Sequence, residues 1–184
     1  FDITYLSTLP NFIVMAASDE SELVKMINTS VDINDKPSAI RYPRGLGIGL
    51  DLPSIDEKIE IGKGRIVQEG KQVCILSLGT RLGECKLAAE ELKNKGVSVT
   101  IIDARFAKPL DQELILKCAR EHEVMITIEE GSIGGFGSHV ENLLAEKAVF
   151  DKGLKFRTMT LPDSFIEQDN PKNMYELAGL NASQ

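Results

Sequence analysis

The strongest constraint on this sequence is the alternation of short apolar runs with segments of helical periodicity. Continuous apolar runs of about four to eight residues are typical of buried strands. Such runs occupy residues 11–17, 73–78 and 124–128, and amphipathic segments such as 19–31 lie between the runs. Strands that alternate with helices predict an α/β fold with a mostly parallel sheet flanked by helices.

The alternation is interrupted once, and the interruption predicts two domains. A first strand–helix–strand unit (11–17, 19–31, 38–42) favours parallel strands with a right-handed crossover. Residues 43–62 contain several glycines and prolines and no clear period, which is typical of a linker. We therefore predict a domain boundary within this segment, between the βαβ unit and a second α/β unit.

Charge and composition exclude several classes of partner. The 184 residues include 21 basic and 28 acidic side chains, for a formal net charge of −7. An acidic chain is a poor match for nucleic acid, which requires a basic face. There is neither an apolar run of about 18 residues nor a signal peptide, so we expect no membrane partner and a cytoplasmic location. The three cysteines, at 74, 85 and 118, are expected to be reduced core residues.

The best candidate for binding chemistry is the sequence Arg41-Tyr42-Pro43-Arg44-Gly45. It follows a predicted parallel strand, and ligands of open α/β sheets bind at the carboxyl ends of strands. The forked guanidinium of arginine matches the oxygens of phosphate or carboxylate groups. These residues therefore predict an anion site, with a surface ion pair and a flexible exit loop as the alternative.

Two further loops also follow predicted strands. Residues 103–111 mix acidic and basic side chains. They could bind an anion, but the pattern favours a self-satisfied turn, with Asp111 capping the next helix and Arg105 pairing with Asp103 or a neighbouring domain. The glycine-rich residues 131–137 precede a helix, as in phosphate cradles. Their spacing is not that of a dinucleotide site and two glutamates precede them, so we favour a tight turn that packs on another domain or subunit.

Catalytic side chains are scarce. The two histidines are His122, expected to be a solvated cation at a helix end, and His139 near a helix start. Neither lies near a serine or cysteine in a pattern that suggests a nucleophile dyad, and neither C-x-x-C nor H-E-x-x-H is present, so we predict no metal site and no catalytic residue.

Several motifs, in order along essentially the whole chain, resemble the 1-deoxy-D-xylulose-5-phosphate synthase family. The matching residues are 1–6 (FDITYL), 9–10 (LP), 17–20 (ASDE), 37–45 (PSAIRYPRG), 61–64 (IGKG), 103–111 (DARFAKPLD), 128–131 (IEEG) and 161–163 (LPD). Transketolases and the β-subunits of 2-oxo acid dehydrogenases share the same domain plan and are the alternatives.

The resemblance implies a transketolase-like transferase that depends on thiamine diphosphate and Mg²⁺ and acts as a homodimer. It would condense pyruvate with D-glyceraldehyde 3-phosphate, releasing CO₂, in isoprenoid and thiamine biosynthesis. The family's activating glutamate and metal motif do not occur in this sequence. The resemblance therefore implies a fragment. Residues 1–60 would be a βαβ remnant, the C-terminal part of the pyrimidine-binding domain plus a linker, and residues 61–184 would be the transketolase C-terminal domain. Such a fragment needs the missing N-terminal domains. By itself the chain is expected to be inactive and to bind no cofactor, as a non-catalytic assembly module would.

One site residue is implied by the resemblance. Arg44 matches the arginine of R-Y-P-R-G, which in the family grips the phosphate of glyceraldehyde 3-phosphate. Arg41 and Tyr42 are expected to support Arg44 rather than touch the substrate.

Overall fold

The computed structural model describes residues 1–184, which form six α-helices, eight strands and one 3₁₀ turn. In chain order the elements are α1 (Asp2–Ser7), β1 (Ile13–Ala16), α2 (Glu20–Val31), β2 (Ser38–Arg41), β3 (Arg65–Gln68), β4 (Val73–Leu78), α3 (Leu82–Asn94), β5 (Val99–Asp103), β6 (Phe106–Lys108), α4 (Gln112–Glu121), β7 (Val124–Glu129), α5 (Phe136–Glu146), the 3₁₀ turn (Phe150–Lys152), β8 (Lys155–Met159) and α6 (Pro171–Leu177).

The larger sheet has five strands in the order β3-β5-β4-β7-β8. Four of them are parallel, and β3 pairs antiparallel with β5 at the edge. The central strands β4, β5 and β7 are largely buried, as expected for parallel strands covered by helices on both faces. The predicted α/β class is thus confirmed, with one antiparallel strand at the edge.

The smaller sheet has three strands in the order β2-β1-β6. Strands β1 and β2 are parallel and joined through α2, as the sequence predicts, whereas β6 pairs antiparallel with β1. Neither β6 nor α1 was predicted, because three and six residues are too few to show a period. Since β6 comes from the second half of the chain, it ties the two sheets together.

The larger apolar core is shared by the two sheets. It contains Leu76, Ile102, Met125 and Phe136 from the larger sheet and its helices, and Val14 and Ala16 from β1. A smaller cluster beside β1 and α2 contains Met15, Met26 and Phe106, which β6 inserts from the second half of the chain. Burying one such side chain contributes about 1.5–3 kcal/mol, so Phe106 helps to fasten the two halves. No helix of the structure has the combined length and apolarity that crossing a membrane requires.

The carboxyl ends of the parallel strands in the two sheets face each other. Ser18, after β1, donates a hydrogen bond to Asp103 at the end of β5, and Arg41, at the end of β2, contacts Glu130 after β7. Gly79, after β4, adopts a φ of +80° that L side chains rarely take, and a Cβ at this position would lie 3.6 Å from the Cβ of Ala16. We call this junction the seam. It is where the candidate residues lie.

Candidate anion-binding site

Arg41 is fastened at the seam. Its Nη1 lies 3.0 Å from Glu130 Oε2, and its Nη2 donates to the Glu130 carbonyl oxygen at 2.9 Å. Its Nε lies 3.1 Å from Asp2 Oδ2 on α1. All sides of the guanidinium are thus engaged by protein groups, so Arg41 has little capacity left for a ligand.

Glu130 also accepts hydrogen bonds from other residues. We use the name Glu130 cluster for Glu130 and its neighbours Arg41, Thr80, Arg81 and Tyr175. The Thr80 hydroxyl donates to Glu130 Oε1, and Arg81 Nε donates to the same oxygen at 3.1 Å. The Arg81 guanidinium stacks 3.5 Å from the centroid of the Tyr175 ring. The cluster joins the end of β2 to the loops after β4 and β7 and to α6.

The ionisation of this cluster follows from its partners. Burial by itself would raise the pKa of Glu130, but the Thr80 hydroxyl and the two arginines more than offset burial, and its pKa lies below the ordinary value. Burial and the neighbouring Glu130 raise the pKa of Tyr175. Glu130 is therefore an anion that the two arginines neutralise, which suits it to holding the seam rather than to proton transfer.

Arg44 differs from Arg41 in every one of these respects. It is exposed and its guanidinium forms no ion pair or side-chain hydrogen bond. Tyr42 is also largely exposed. Arg44 lies three residues beyond the end of β2, so a free cation projects close to the carboxyl edge of the smaller sheet. The geometry can offer a forked donor to a phosphate or carboxylate there.

The loop that carries Arg44 is held by a carboxylate on α2. Glu20 accepts backbone hydrogen bonds from Ile48, Gly49 and Leu50 at 3.1, 2.5 and 2.8 Å. Its own backbone N–H and those three lower the pKa of Glu20 to about 2. Further along the loop, Asn28 donates to the carbonyl oxygen of Glu57. The loop is thus attached to α2 although it contains no regular secondary structure.

Residues 103–111 make structural contacts, as the sequence favours, but they are not a self-satisfied turn, because β6 lies within them and pairs with β1. Asp111 caps α4 by accepting from Leu114 N–H. Arg105 reaches α2 and binds Glu22 with both Nε and Nη2, at 2.7 and 3.1 Å. The backbone of Arg105 is left-handed (φ 59°), a conformation that costs a non-glycine residue about 1–3 kcal/mol. The bidentate ion pair offsets that cost, so this arginine serves the seam.

A second ionic group surrounds Glu22. Arg65 Nη1 lies 3.1 Å from Glu22 Oε1, and Arg65 Nε donates to Asp103 Oδ2 at 3.1 Å. Asp103 and Glu22 are both buried, with exposures of 0% and 1%. Burial outweighs the effect of Arg65 and raises the pKa of Asp103. Glu22 lies on α2, whereas Arg65, Asp103 and Arg105 come from β3, β5 and the loop before β6. The ion pairs of Glu22 with the two arginines therefore bind α2 to the larger sheet.

The glycine-rich loop is occupied by the chain's own carboxylate. Glu129 Oε1 accepts from Gly137 N–H at 2.8 Å, in the first turn of α5, while its Oε2 is buried without a partner. A Cβ on Gly131 or Gly135 would collide with this carboxylate, which explains those two glycines. Burial raises the pKa of Glu129. The loop packs on Thr4 of α1, as expected of a turn that contacts another part of the fold.

These contacts also test the cofactor that the resemblance implies. A diphosphate cradle needs free N–H groups at a helix start, yet at α5 the Gly137 N–H is taken by Glu129. The seam's acidic groups are bound to arginines and contribute no open set of oxygen ligands for Mg²⁺. The residues of this chain do not fit thiamine diphosphate with its metal ion.

The expectation for His122 is wrong. The residue is partly buried at the end of α4, with Nδ1 2.8 Å from the Cys118 carbonyl oxygen and Nε2 2.7 Å from Thr100 Oγ1. It is therefore held by two hydrogen bonds rather than solvated. His139 is half-buried. Its pKa is lowered mainly by burial and to a smaller extent by the positive charge of Lys108. The three cysteines are free and buried, as expected.

Sequence reasoning missed Arg65, Arg81 and Tyr175 as seam residues. Arg65 lies in an edge strand and Arg81 in the turn before α3, where a single arginine is usually a solvated charge. The only available signal is that Thr80-Arg81 and Glu129-Glu130 both follow strands that are neighbours in a parallel sheet. Neighbouring strand ends place such residues close together.

Comparison with known proteins identifies the fold. Residues 62–184 match the family described as transketolase, C-terminal domain. A solved structure titled "Split gene transketolase, inactive beta4 tetramer" is 28% identical, with a TM-score of 0.84 over 99% of this chain and 58% of that chain. The transketolase from Campylobacter jejuni is 17% identical, with a TM-score of 0.63 over 97% of this chain and 26% of that one. The chain thus spans only part of either protein.

Proposed function

Since the chain belongs to the transketolase C-terminal domain family, we propose that it supplies that domain and the acceptor-phosphate site to a thiamine diphosphate-dependent transferase. More specifically, we propose a 1-deoxy-D-xylulose-5-phosphate synthase, with pyruvate and D-glyceraldehyde 3-phosphate as substrates. Thiamine diphosphate and Mg²⁺ would be held by the rest of the enzyme, in the N-terminal domains.

The observation that carries the proposal is the different state of the two arginines in one motif. Arg41 is neutralised by Glu130 and Asp2, whereas Arg44 is exposed and unpaired at the same strand end. A free guanidinium is the group that a phosphorylated aldehyde requires. Binding the phosphate at a distance from the reacting carbon would position the aldehyde for attack and lower the entropic part of the barrier.

The first test uses the intact enzyme that contains this chain. We expect Arg44→Ala to raise the KM for D-glyceraldehyde 3-phosphate by about 10- to 100-fold, because a charge-assisted contact is worth about 1.5–3 kcal/mol, and to leave the KM for pyruvate nearly unchanged. Arg120→Ala, which removes another exposed arginine on α4, is the matched control. An unchanged KM for the aldehyde would refute the role of Arg44.

A second assay separates the synthase from related enzymes with the same domain. The intact enzyme is given pyruvate with D-glyceraldehyde 3-phosphate, or a ketose phosphate donor with the same acceptor. Formation of the five-carbon product with CO₂ release supports the synthase. Turnover only with the ketose donor would indicate a transketolase. Oxidative decarboxylation of pyruvate without the aldehyde, in a third assay that supplies an electron acceptor, would indicate a 2-oxo acid dehydrogenase β-subunit.

We further propose that the 184-residue chain has no synthase activity without the other domains. The 28% identical structure is titled an inactive beta4 tetramer of a split-gene transketolase, and in the present chain Glu129 occupies the glycine loop. The isolated chain is therefore expected to act as an assembly module that pairs with the N-terminal domains and forms a homodimer in the enzyme. Calorimetric binding of thiamine diphosphate to the 184-residue chain would contradict this proposal.

A further inference from the structure

Two cysteines and a histidine converge away from the seam, beneath the end of α4. Cys74 lies on β4, Cys118 on the inner face of α4 and His122 one turn later at the helix end. The two sulfur atoms and one ring nitrogen all lie within 4.8 Å of one another. Residues 118 and 122 share a helix face because their spacing is i, i+4.

The histidine is oriented as a metal ligand would be. Its Nδ1 lies 2.8 Å from the Cys118 carbonyl oxygen, which can only accept, so Nδ1 carries the proton. Metal-binding histidines usually donate the second ring N–H to a carbonyl or carboxylate in this manner. The lone pair of Nε2 is then available, and its present partner is the rotatable hydroxyl of Thr100 at 2.7 Å. Thr100 Oγ1 also accepts from Gly70 N–H, so Thr100 keeps a partner if Nε2 turns to a cation.

Burial and charge decide which cation would suit this site. Cys74 and Cys118 are 0% and 2% exposed, within the larger apolar core. A divalent cation bound by two thiolates and a neutral imidazole carries no net charge, which limits the cost of burial. Thiolate sulfur excludes Mg²⁺ and Ca²⁺ and selects borderline-soft ions such as Zn²⁺.

We propose that Cys74, Cys118 and His122 form a zinc-binding site that is separate from the seam. Binding converts both thiols to thiolates and releases two protons to solvent, with no change of oxidation state. Zn–S distances of about 2.3 Å and a Zn–N distance of about 2.0 Å place neighbouring ligand atoms about 3.5–3.8 Å apart. The three ligand atoms, which lie within 4.8 Å of one another, therefore need to approach by at most about 1 Å. A water molecule is the proposed fourth ligand of the tetrahedral shell, beside the partly buried His122. The ion would fasten the end of α4 to β4.

The site is tested with Co²⁺ and Zn²⁺ on the 184-residue chain, kept reduced by a phosphine. Co²⁺ is expected to produce one equivalent of thiolate charge-transfer absorption in the near ultraviolet, which Zn²⁺ then abolishes by displacement. Zn²⁺ alone is expected to raise the melting temperature. A wild-type chain that shows neither the absorption nor the rise in melting temperature would overturn the proposal.

Variants distinguish this site from other thiols. Cys74→Ser and Cys118→Ser are expected to lose the Co²⁺ absorption, whereas Cys85→Ser is the matched control and retains it, because Cys85 lies in a different core cluster. If the first two variants do not fold, by circular dichroism, His122→Gln at a partly exposed position decides. It is expected to keep the fold and to weaken Co²⁺ binding. Equal binding by His122→Gln and the wild type, or loss of binding in Cys85→Ser, would contradict the assignment.

Discussion

Glu130 and Glu20 each gather several donors, but in different surroundings. Glu130 is buried at the seam and binds two guanidinium groups and a hydroxyl. Glu20 lies on the outside of the fold and binds the three backbone N–H groups of residues 48–50. Both have a lowered pKa. The similarity ends there, because solvent screens the exposed contacts and leaves the buried ones at nearly full strength.

This difference explains why Arg41 is paired and Arg44 is unpaired. Arg41 belongs to the buried Glu130 cluster, and its charge is used to hold two sheets together. Arg44 lies on the loop that Glu20 clasps, where no acidic side chain pairs with it. Residues three apart in one motif thus divide into a structural cation and a free one. Four substitutions or titrations can break or sharpen this comparison.

Glu130→Gln is expected to have the largest effect. It leaves Arg81, whose side chain is 9% exposed, beside Arg41 with no opposing charge in the cluster. Removing one partner of a buried ion pair typically costs about 3–5 kcal/mol of the free energy of unfolding. Denaturant unfolding measures this loss. Glu123→Gln, which breaks an exposed pair with Lys155, is the control and should cost less than about 1 kcal/mol. Equal losses for the two variants would show that the Glu130 cluster contributes no more than a surface pair.

Arg41→Ala is expected to have the second-largest effect, a loss of about 1.5–3 kcal/mol of the free energy of unfolding. The Arg41 side chain is 24% exposed, so water replaces part of its hydrogen bonding to Glu130. Arg81 still forms an ion pair with Glu130. The pKa of Glu130 should rise, because the Arg41 charge contributes to lowering it. The ionised Glu130 therefore contributes less to stability in the variant, and on acidification its contribution is lost over a narrower pH interval that ends at a higher pH than in the wild type. A melting temperature that does not differ between the two proteins from pH 7 to pH 4 would contradict this prediction.

Glu20 holds the Arg44 loop through the hydrogen bonds that it accepts from residues 48–50, and we call this contact the clasp. The clasp is expected to depend on pH. Because the folded pKa of Glu20 is about 2 and its ordinary value is 4.5, the clasp contributes fully above about pH 4.5 and is lost as the pH falls toward 2. The amide resonances of Ile48, Gly49 and Leu50 should move together as the folded chain is titrated toward pH 2, where Glu20 takes up its proton. Glu20→Gln at pH 7 is expected to move them in the same way, and this variant gives the answer if acid unfolds the chain first. Unmoved amide resonances in Glu20→Gln would exclude the clasp.

Arg44→Ala should have the smallest effect on stability, within about 0.5 kcal/mol, because an exposed and unpaired side chain is removed. The same change is proposed to weaken phosphate binding in the intact enzyme, so stability and binding separate at this position. Thermal melting of the 184-residue chain provides the measurement. A loss as large as that of Arg41→Ala would mean that Arg44 is a structural residue.

Much of the fold could be predicted from the sequence, because local patterns encode it. Apolar runs identified β1, β4 and β7, helical spacing identified α2 and α4, and Asp111 was correctly assigned as the cap of α4. The short elements α1 and β6 were missed since neither is long enough for a period. The candidate site was located at the end of β2 from strand order and guanidinium chemistry, without any knowledge of what surrounds it.

The sequence by itself therefore determined the α/β class, the order of its elements and the position of a cation-rich strand end. Only the tertiary structure decided which cation is free. Arg41 meets Glu130 across 89 positions in the chain, and Cys74 meets Cys118 and His122 only when β4 packs against α4. Periodicity reports which face of an element is buried, but pairing between distant side chains depends on how the elements pack. For that reason no local pattern could separate Arg41 from Arg44 or bring the three candidate zinc ligands together.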